Sequence, residues 1–462
     1  MKPVWAIARL TFWEGVRMKI NVVFILMLVF IVLRMPFALR GDETLAGRLQ
    51  TFLDYSLSAL SLLVGLATVF FSCATLTGEI KSNTLHLVLT KPVTRFQVLL
   101  GKWLGVNLLA ILLVVSSGLV IYGFARYIRS WEGYFERDKL QVRDVVWTAR
   151  ASGAPVRPDF VKTATERVEQ RIRDGGLEAA KRDAAIHETV QELESDWRSL
   201  GPGEYEVYHF EKLPPPEAES EVIQVRFKAR GVPQPRQEIL ELDWMFVDPQ
   251  TEQPLMPAPF RTRERSGDMH QFLVSARAIR DGKAALFVGN PHDPDSRVRA
   301  LFEGRDSLQI LYKVGSFEAN YLKTLLMTLF RLAFLSAVGV MFSTFVSFPV
   351  ACLGAFATYL IALASPWWLE AIGANLQIWS ASIDPFGQYG PYIRFLLVPI
   401  LRVLFPDFVR LDGASKLVDG AVIPNDLVGA AFAQTVVFGG VLVLAVGWLV
   451  FRRREIAEVT VQ

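Results

Sequence analysis

Few residues in this chain are spaced for covalent chemistry. A phosphate-binding loop needs GxxxxGK followed by Ser or Thr, so that backbone N–H groups cradle the phosphates and the lysine reaches the outermost one. Gly101-Lys102 is followed by Trp103 and lacks the leading glycine. A helical zinc-protease site needs a second histidine four residues after the first; His187-Glu188 is followed at that position by Gln191. No GxSxG or SxxK nucleophile motif occurs. His187, His209, His270 and His292 share one polar region without ligand-like spacing, and read as ordinary surface or half-buried histidines. Cys73 and Cys352 both sit in apolar runs, which argues against a disulfide framework or a thiolate metal site. The sequence therefore assigns no catalytic residue, no metal and no cofactor to this chain, and it does not read as an enzyme.

The remaining chemistry is electrostatic. Arg331 stands inside an apolar run, where a charge costs about 2.5–3.5 kcal/mol on insertion scales. Two readings stay open: Arg331 lines a translocation path or a subunit interface, or it snorkels to the membrane edge beside Lys323. A second cluster of cations, Lys81, Lys91, Arg95 and Lys102, lies in the stretch 78–102 between two apolar runs. Pro92 lacks an N–H and disfavours helix at Lys91, so the stretch reads as helix, break, helix. Cations close to the ends of spans mark the cytoplasmic side. The stretch is either a plain connector or a handle for a cytosolic partner.

The elements that must position these residues follow from composition. The chain has 462 residues, is 52% hydrophobic and carries a net charge of +3, which gives no argument for nucleic acid. Very apolar ends enclose a charged middle, as expected of a membrane protein with one large water-exposed insert. Residues 1–19 combine Trp5, Phe12 and Trp13 with Arg9, Arg17 and Lys19, a pattern suited to an amphipathic helix at the membrane interface. Spans are expected over 20–40, 55–77 and 103–124, within a segment 20–125. Two further spans, 321–342 and 348–364, are hinged near 343–347. A last span over 427–451 is closed by Arg452-Arg453-Arg454, within a segment 427–462. Six crossings put both termini in the cytoplasm. Residues 365–426 form an outer loop in which Tyr392–Leu404, broken by Arg394, Pro399 and Arg402, suits a re-entrant or interfacial helix. Asp384-Pro385-Phe386-Gly387 reads as an external turn, and Gly439-Gly440 and Gly447 as helix-packing positions.

The insert 126–320 lies outside the cytoplasm by the count of crossings. Its first part is helical: Val161, Ala164, Val168 and Ile172, then Ile186, Val190, Leu193 and Trp197 recur at helical spacing. Short alternating runs follow, among them EVIQVRFKA, ILELDWMFV and AALFVG, separated by Pro and Gly clusters. Six or more such strands predict a β-sandwich-like domain. The fold class expected is a polytopic α-helical membrane protein of six transmembrane helices, with a mainly β plus helical extracytoplasmic domain between spans 3 and 4.

Glu79, Thr84-Leu85, Leu89, Pro92-Val93-Thr94-Arg95 and Gly101-Lys102 together resemble the loop after the second span of ABC type-2 exporter permeases. The aromatic-basic amino-terminal helix and Ser347-Phe348-Pro349-Val350-Ala351 are similar to that family too. Asn83 stands where the family usually has glycine before Thr-Leu. The resemblance covers the membrane portion and not the insert. It implies a permease subunit of a bacterial inner membrane that pairs with a second permease subunit, like or unlike. It also implies that ATP is bound by separate cytosolic ATPase subunits. Glu79, Thr84, Leu85, Lys91, Pro92, Arg95 and Lys102 would then form the ATPase-coupling loop. Two other classes compete: a membrane-anchored sensor or scaffold that binds through the β-domain, and an intramembrane enzyme, which lacks a nucleophile-base or metal pair.

Overall fold

Apolar runs fold as helices here because a backbone in hydrocarbon must satisfy its N–H and C=O groups internally. The structure is a computed structural model describing residues 2–38, 44–82, 93–131, 134–174, 176, 181–215, 222–234, 238–256, 258–292, 297–302, 304, 307–368 and 405–453. In chain order the helices are α1 (Lys2–Arg17), α2 (Lys19–Ala38), α3 (Leu45–Lys81), α4 (Arg95–Arg129), α5 (Glu136–Gln141), α6 (Phe160–Arg173), α7 (Arg182–Trp197), α8 (Phe317–Ser343), α9 (Phe348–Leu363), α10 (Ala414–Val418) and α11 (Asn425–Arg453). They belong to two compact units: Met1–Ala149 with Gly315–Gln462, and Arg150–Val314.

In the first unit α3, α4, α8 and α11 have 37, 35, 27 and 29 residues and are apolar enough to cross a membrane. A fifth crossing is reached if α1 and the apolar part of α2, which meet at a 61° bend, count as one. Helix α9 has 16 residues; at 1.5 Å each it covers about 24 Å, short of a ~30 Å core. Two helices start well before the spans expected from hydropathy, because a cap sets the start of each. Thr44 Oγ1 accepts from Gly47 N at 3.0 Å and opens α3 at Leu45. Thr94 and Gln97 form a reciprocal capping box that opens α4 at Arg95 rather than 103.

The expected insert boundary at 126 also shifts. Helix α4 runs on to Arg129, and α5 continues into a π-helical turn, Val142–Val146, whose valines join the core of the membrane unit. Trp147 stacks on Phe317 with centroids 4.2 Å apart, and the Arg129 guanidinium lies 5.0 Å from the Trp147 ring. The stretch 405–424, expected as outer loop, buries Phe408, Leu411, Leu417 and Ile423. Tyr392–Leu404 and Asp384–Gly387 lie outside the described residues.

The second unit holds the helical hairpin α6–α7 and strands β1 (Thr148–Gly153, which begins in the first unit), β2 (Ser199–Leu200), β3 (Tyr205–Phe210), β4 (Val222–Val232), β5 (Ile239–Val247), β6 (Phe260–Arg265), β7 (Met269–Ser275), β8 (Ala284–Gly289), β9 (Arg299–Phe302) and β10 (Leu308–Ser316). One sheet runs β1-β10-β4-β9-β2 with β7 also on β4; the other runs β3-β8-β5-β6. Ile223, Val225 and Phe227 of β4 share one core with Leu240, Leu242 and Trp244 of β5. Phe227 and Trp244 have ring centroids 4.6 Å apart. Strand β6, FRTRER, escapes a hydrophobicity reading because arginines occupy its outer face. Arg261 sits opposite Asp243 and Arg263 opposite Glu241 on β5, and each pair is bridged across the strands.

Candidate functional site

The expected loop residues Glu79, Arg95 and Lys102 lie on α3 and α4 where these helices pack with α1 and α11. Lys102 on α4 is 2% exposed and gives Nζ to Glu79 Oε1 of α3 at 2.6 Å. Its ammonium also reaches the Thr75 carbonyl at 3.4 Å and lies 3.8 Å from Glu14 Oε2 of α1. A buried ammonium is tolerated only where carboxylates and carbonyls replace its water. Here two acidic side chains from two other helices do so.

Arg95, at the first position of α4, donates from Nη1 to the Phe451 carbonyl at 2.5 Å and to the Arg452 carbonyl at 3.3 Å. Its guanidinium lies 5.5 Å from the Phe451 ring. The last turn of a helix has carbonyls without intrahelical partners, and a cation there also suits the helix dipole. Arg95 thus caps the carboxyl end of α11. Leu76, Val98 and Phe451, with Ile7, Ile80 and Val93 against them, fill the space between the four helices. Helix α1 lies against α4 at two glycines: a Cβ on Gly101 would come within 2.8 Å of Ile7, and one on Gly105 within 2.6 Å of the Ala8 carbonyl.

The stretch expected to be one loop over 78–102 is therefore mostly helix at both ends. Gly78–Lys81 closes α3 and Arg95–Lys102 opens α4, which leaves 82–94 between them. Thr84, Leu85, Lys91 and Pro92, with the helix-break-helix reading, lie outside the described residues. The structure brings Glu79 and Lys102 together and turns Arg95 toward α11. Sequence reasoning missed Glu14 and Phe451; neither carries a local signal, since their partners are far away in the chain.

Arg331 is enclosed by partners that neither sequence reading named. Nη1 donates to Ser61 Oγ of α3 at 2.9 Å, and Nη2 to the Phe408 carbonyl at 3.0 Å and to Asp412 Oδ1 at 3.4 Å. The Phe408 ring lies 5.2 Å away. Nearby side chains of α8 hold the same segment by its backbone. Asn320 donates to the Ala421 carbonyl, Lys323 to the Ile423 carbonyl at 2.8 Å and Thr324 to the Gly413 carbonyl. Lys323 thereby tethers this segment. Among the described residues no group of three or more His, Cys, Asp or Glu could hold a metal ion.

Long apolar helices joined at a charged junction, with a separate β-rich unit, define a polytopic helical membrane protein. Residues 5–138 match the family model described as ABC-2 family transporter protein, a stretch that spans α1 to α4 and so holds Glu14, Glu79, Arg95 and Lys102. The residues of the loop motif, Glu79 to Lys102, fall within that matched stretch. No curated protein matches the chain.

Proposed function

We propose that the chain is the permease subunit of an ATP-driven ABC exporter. In this reading separate cytosolic ATPase subunits bind the segment 82–94, a second permease subunit completes the pathway, and both termini are cytoplasmic. Helices α2, α3, α4, α8, α9 and α11 would be the six spans, the short α9 crossing where the bilayer thins around it, with Arg150–Val314 outside, in a bacterial inner membrane. The match over residues 5–138 carries the proposal.

The geometry of the junction supports a way of coupling. A force applied at 82–94 reaches α3 and α4 together, because Glu79 and Lys102 bind the end of one to the start of the other. It reaches α1 through Gly101 and Gly105, and α11 through Arg95. Glu79 and Arg95 then transmit force inside the chain, which leaves contact with the ATPase to the segment between them, including Lys91.

The test is co-purification of an ATPase with the tagged chain, together with ATP-dependent transport in vesicles, for wild type, Lys91→Glu and Pro92→Ala. Both variants should weaken ATPase retention or uncouple hydrolysis while the chain stays folded. If no ATPase accompanies the wild type and ATP drives no transport, the permease reading fails and the sensor or scaffold reading takes its place.

A further inference from the structure

The β-rich unit carries a cavity lined by both aromatic and cationic side chains. It has a volume of about 210 Å³. Pro155, Trp197, Tyr208, Phe302 and Leu308 give it apolar and aromatic walls. The aromatic walls hold one another: Trp197 and Tyr208 meet edge-on at 5.5 Å, Tyr208 and Phe302 at 5.9 Å, and Phe160 supports Trp197 from behind at 5.8 Å. Two lining hydroxyls are already used within the domain. Tyr208 donates to the Trp197 carbonyl at 3.0 Å and Ser307 to the Gly304 carbonyl at 2.8 Å.

The charge in the lining comes from Arg157 and Arg198. Both grip one carboxylate: Arg157 Nη2 binds Glu194 Oε2 and Arg198 Nη2 binds Glu194 Oε1, each at 2.5 Å. Among the described residues, two guanidiniums against one carboxylate leave a positive charge in excess beside an aromatic cavity. Each guanidinium has five N–H donors in a fixed fork, so one bond to Glu194 leaves donors for a further acceptor. A cavity of ~150 Å³ with apolar walls takes a benzene ring. The present volume takes one ring, or a short acyl chain, with a few more atoms.

We propose that this cavity is a binding site for small amphiphilic anions, molecules with one aromatic or short apolar body and a carboxylate or comparable anionic group. The body lies among Trp197, Tyr208 and Phe302, and the anionic group meets Arg157 and Arg198. Aromatic walls fix the body by area and ring geometry, while the forked donors select the sign of the head group. The proposal rests on the β-rich unit alone and stands whether or not the chain is a permease.

The experiment uses the full chain in nanodiscs of zwitterionic lipid, with empty nanodiscs as the blank. Ligand-observed saturation-transfer NMR is run with 4-phenylbutyrate, with 4-phenylbutylamine as the same body bearing a cation, and with butyrate as the same head group lacking the ring. The phenylbutyrate signal should exceed both others and saturate. Arg157→Gln, at a side chain 44% exposed, should weaken it by about fivefold, the upper range for an exposed charge pair. Trp197→Ala should weaken it more than about tenfold by removing an aromatic wall. Because Trp197 also supports the fold, its variant counts only beside Arg157→Gln, which removes charge and leaves the walls. Equal binding of amine and carboxylate, no saturable binding by wild type, or an Arg157→Gln variant that binds as wild type would each overturn the proposal.

Discussion

Replacing Lys102 by Met tests whether the helix junction is held by charge or only by apolar contact. Lys102 is 2% exposed and Glu79 is 18% exposed, 2.6 Å apart. Removing one partner of a fully buried pair costs about 3–5 kcal/mol, because the other charge is left without compensation. Glu79 keeps some access to water and Glu14 is 45% exposed, so roughly half of that, about 2 kcal/mol, is expected for Lys102→Met. Glu79→Gln should cost less, about 1–1.5 kcal/mol, since the ammonium keeps the Thr75 carbonyl and Glu14 nearby. Removing both should cost little more than Lys102→Met alone, giving a coupling of about 1 kcal/mol or more. The assay is a double-mutant cycle on SDS-driven unfolding in mixed micelles, followed by tryptophan fluorescence. If the two single effects add within about 0.5 kcal/mol, the residues act independently and the junction is not held by this pair.

At Gly105, Leu should overpack the α1–α4 contact and cost about 1–3 kcal/mol; a cysteine at the buried Thr11, in a background lacking Cys73 and Cys352, should then become reactive to maleimide. Unchanged protection at Thr11 would mean that α1 does not depend on that close approach. Arg331→Met should loosen the stretch 405–424 without releasing α8 from the membrane, raising hydrogen exchange at Phe408–Asp412 where the guanidinium now binds; exchange equal to wild type would show that the ion is dispensable there. In the β-rich unit, backbone N–H bonds from Gln250 and Thr251 hold the Asp248 carboxyl below its usual range. Asp248 therefore adds stability that is present above the unfolded-state value near 3.8 and lost as pH falls through the lower folded value. Burial raises Glu206 despite His209 nearby, so its contribution has the opposite sign, favouring the fold below about 4.5 and opposing it as pH rises past the raised value. Asp248→Asn should thus destabilise the domain more at neutral pH than in acid, whereas Glu206→Gln should stabilise it at neutral pH; hydrogen exchange at pH 7 and pH 3 separates the two, and equal shifts at both pH values would refute the assignment.

Much of the helical plan was legible because hydrophobicity is summed over long windows, and the runs behind α3, α4, α8 and α11 leave little choice. Helix starts were not, since hydropathy fades where a cap such as Thr44 or Thr94 carries the helix past the apolar run. The alternating strand β4 was readable from Ile223, Val225 and Phe227, whereas β6 was hidden by its arginines; the partners of Arg261 and Arg263 lie on another strand. The polar residues of the junction were readable as a motif but not in their roles. Nothing local to Arg95 says that its acceptors are the carbonyls of Phe451 and Arg452, and nothing near Arg331 points to Asp412. Side chains that bind across large sequence separation are fixed by packing, and packing is not written in any window.

Strand β1 enters the β-rich unit and β10 leaves it, and the two are neighbours in one sheet. A Cβ on Gly315 would stand 3.6 Å from that of Ala149, so the two ends of the insertion are almost in touch. A polypeptide interrupted at such a place keeps the geometry of an ordinary hairpin. Excising Arg150–Val314, some 165 residues, would therefore leave two ends that a tight turn can join, with the helices on either side unchanged in sequence.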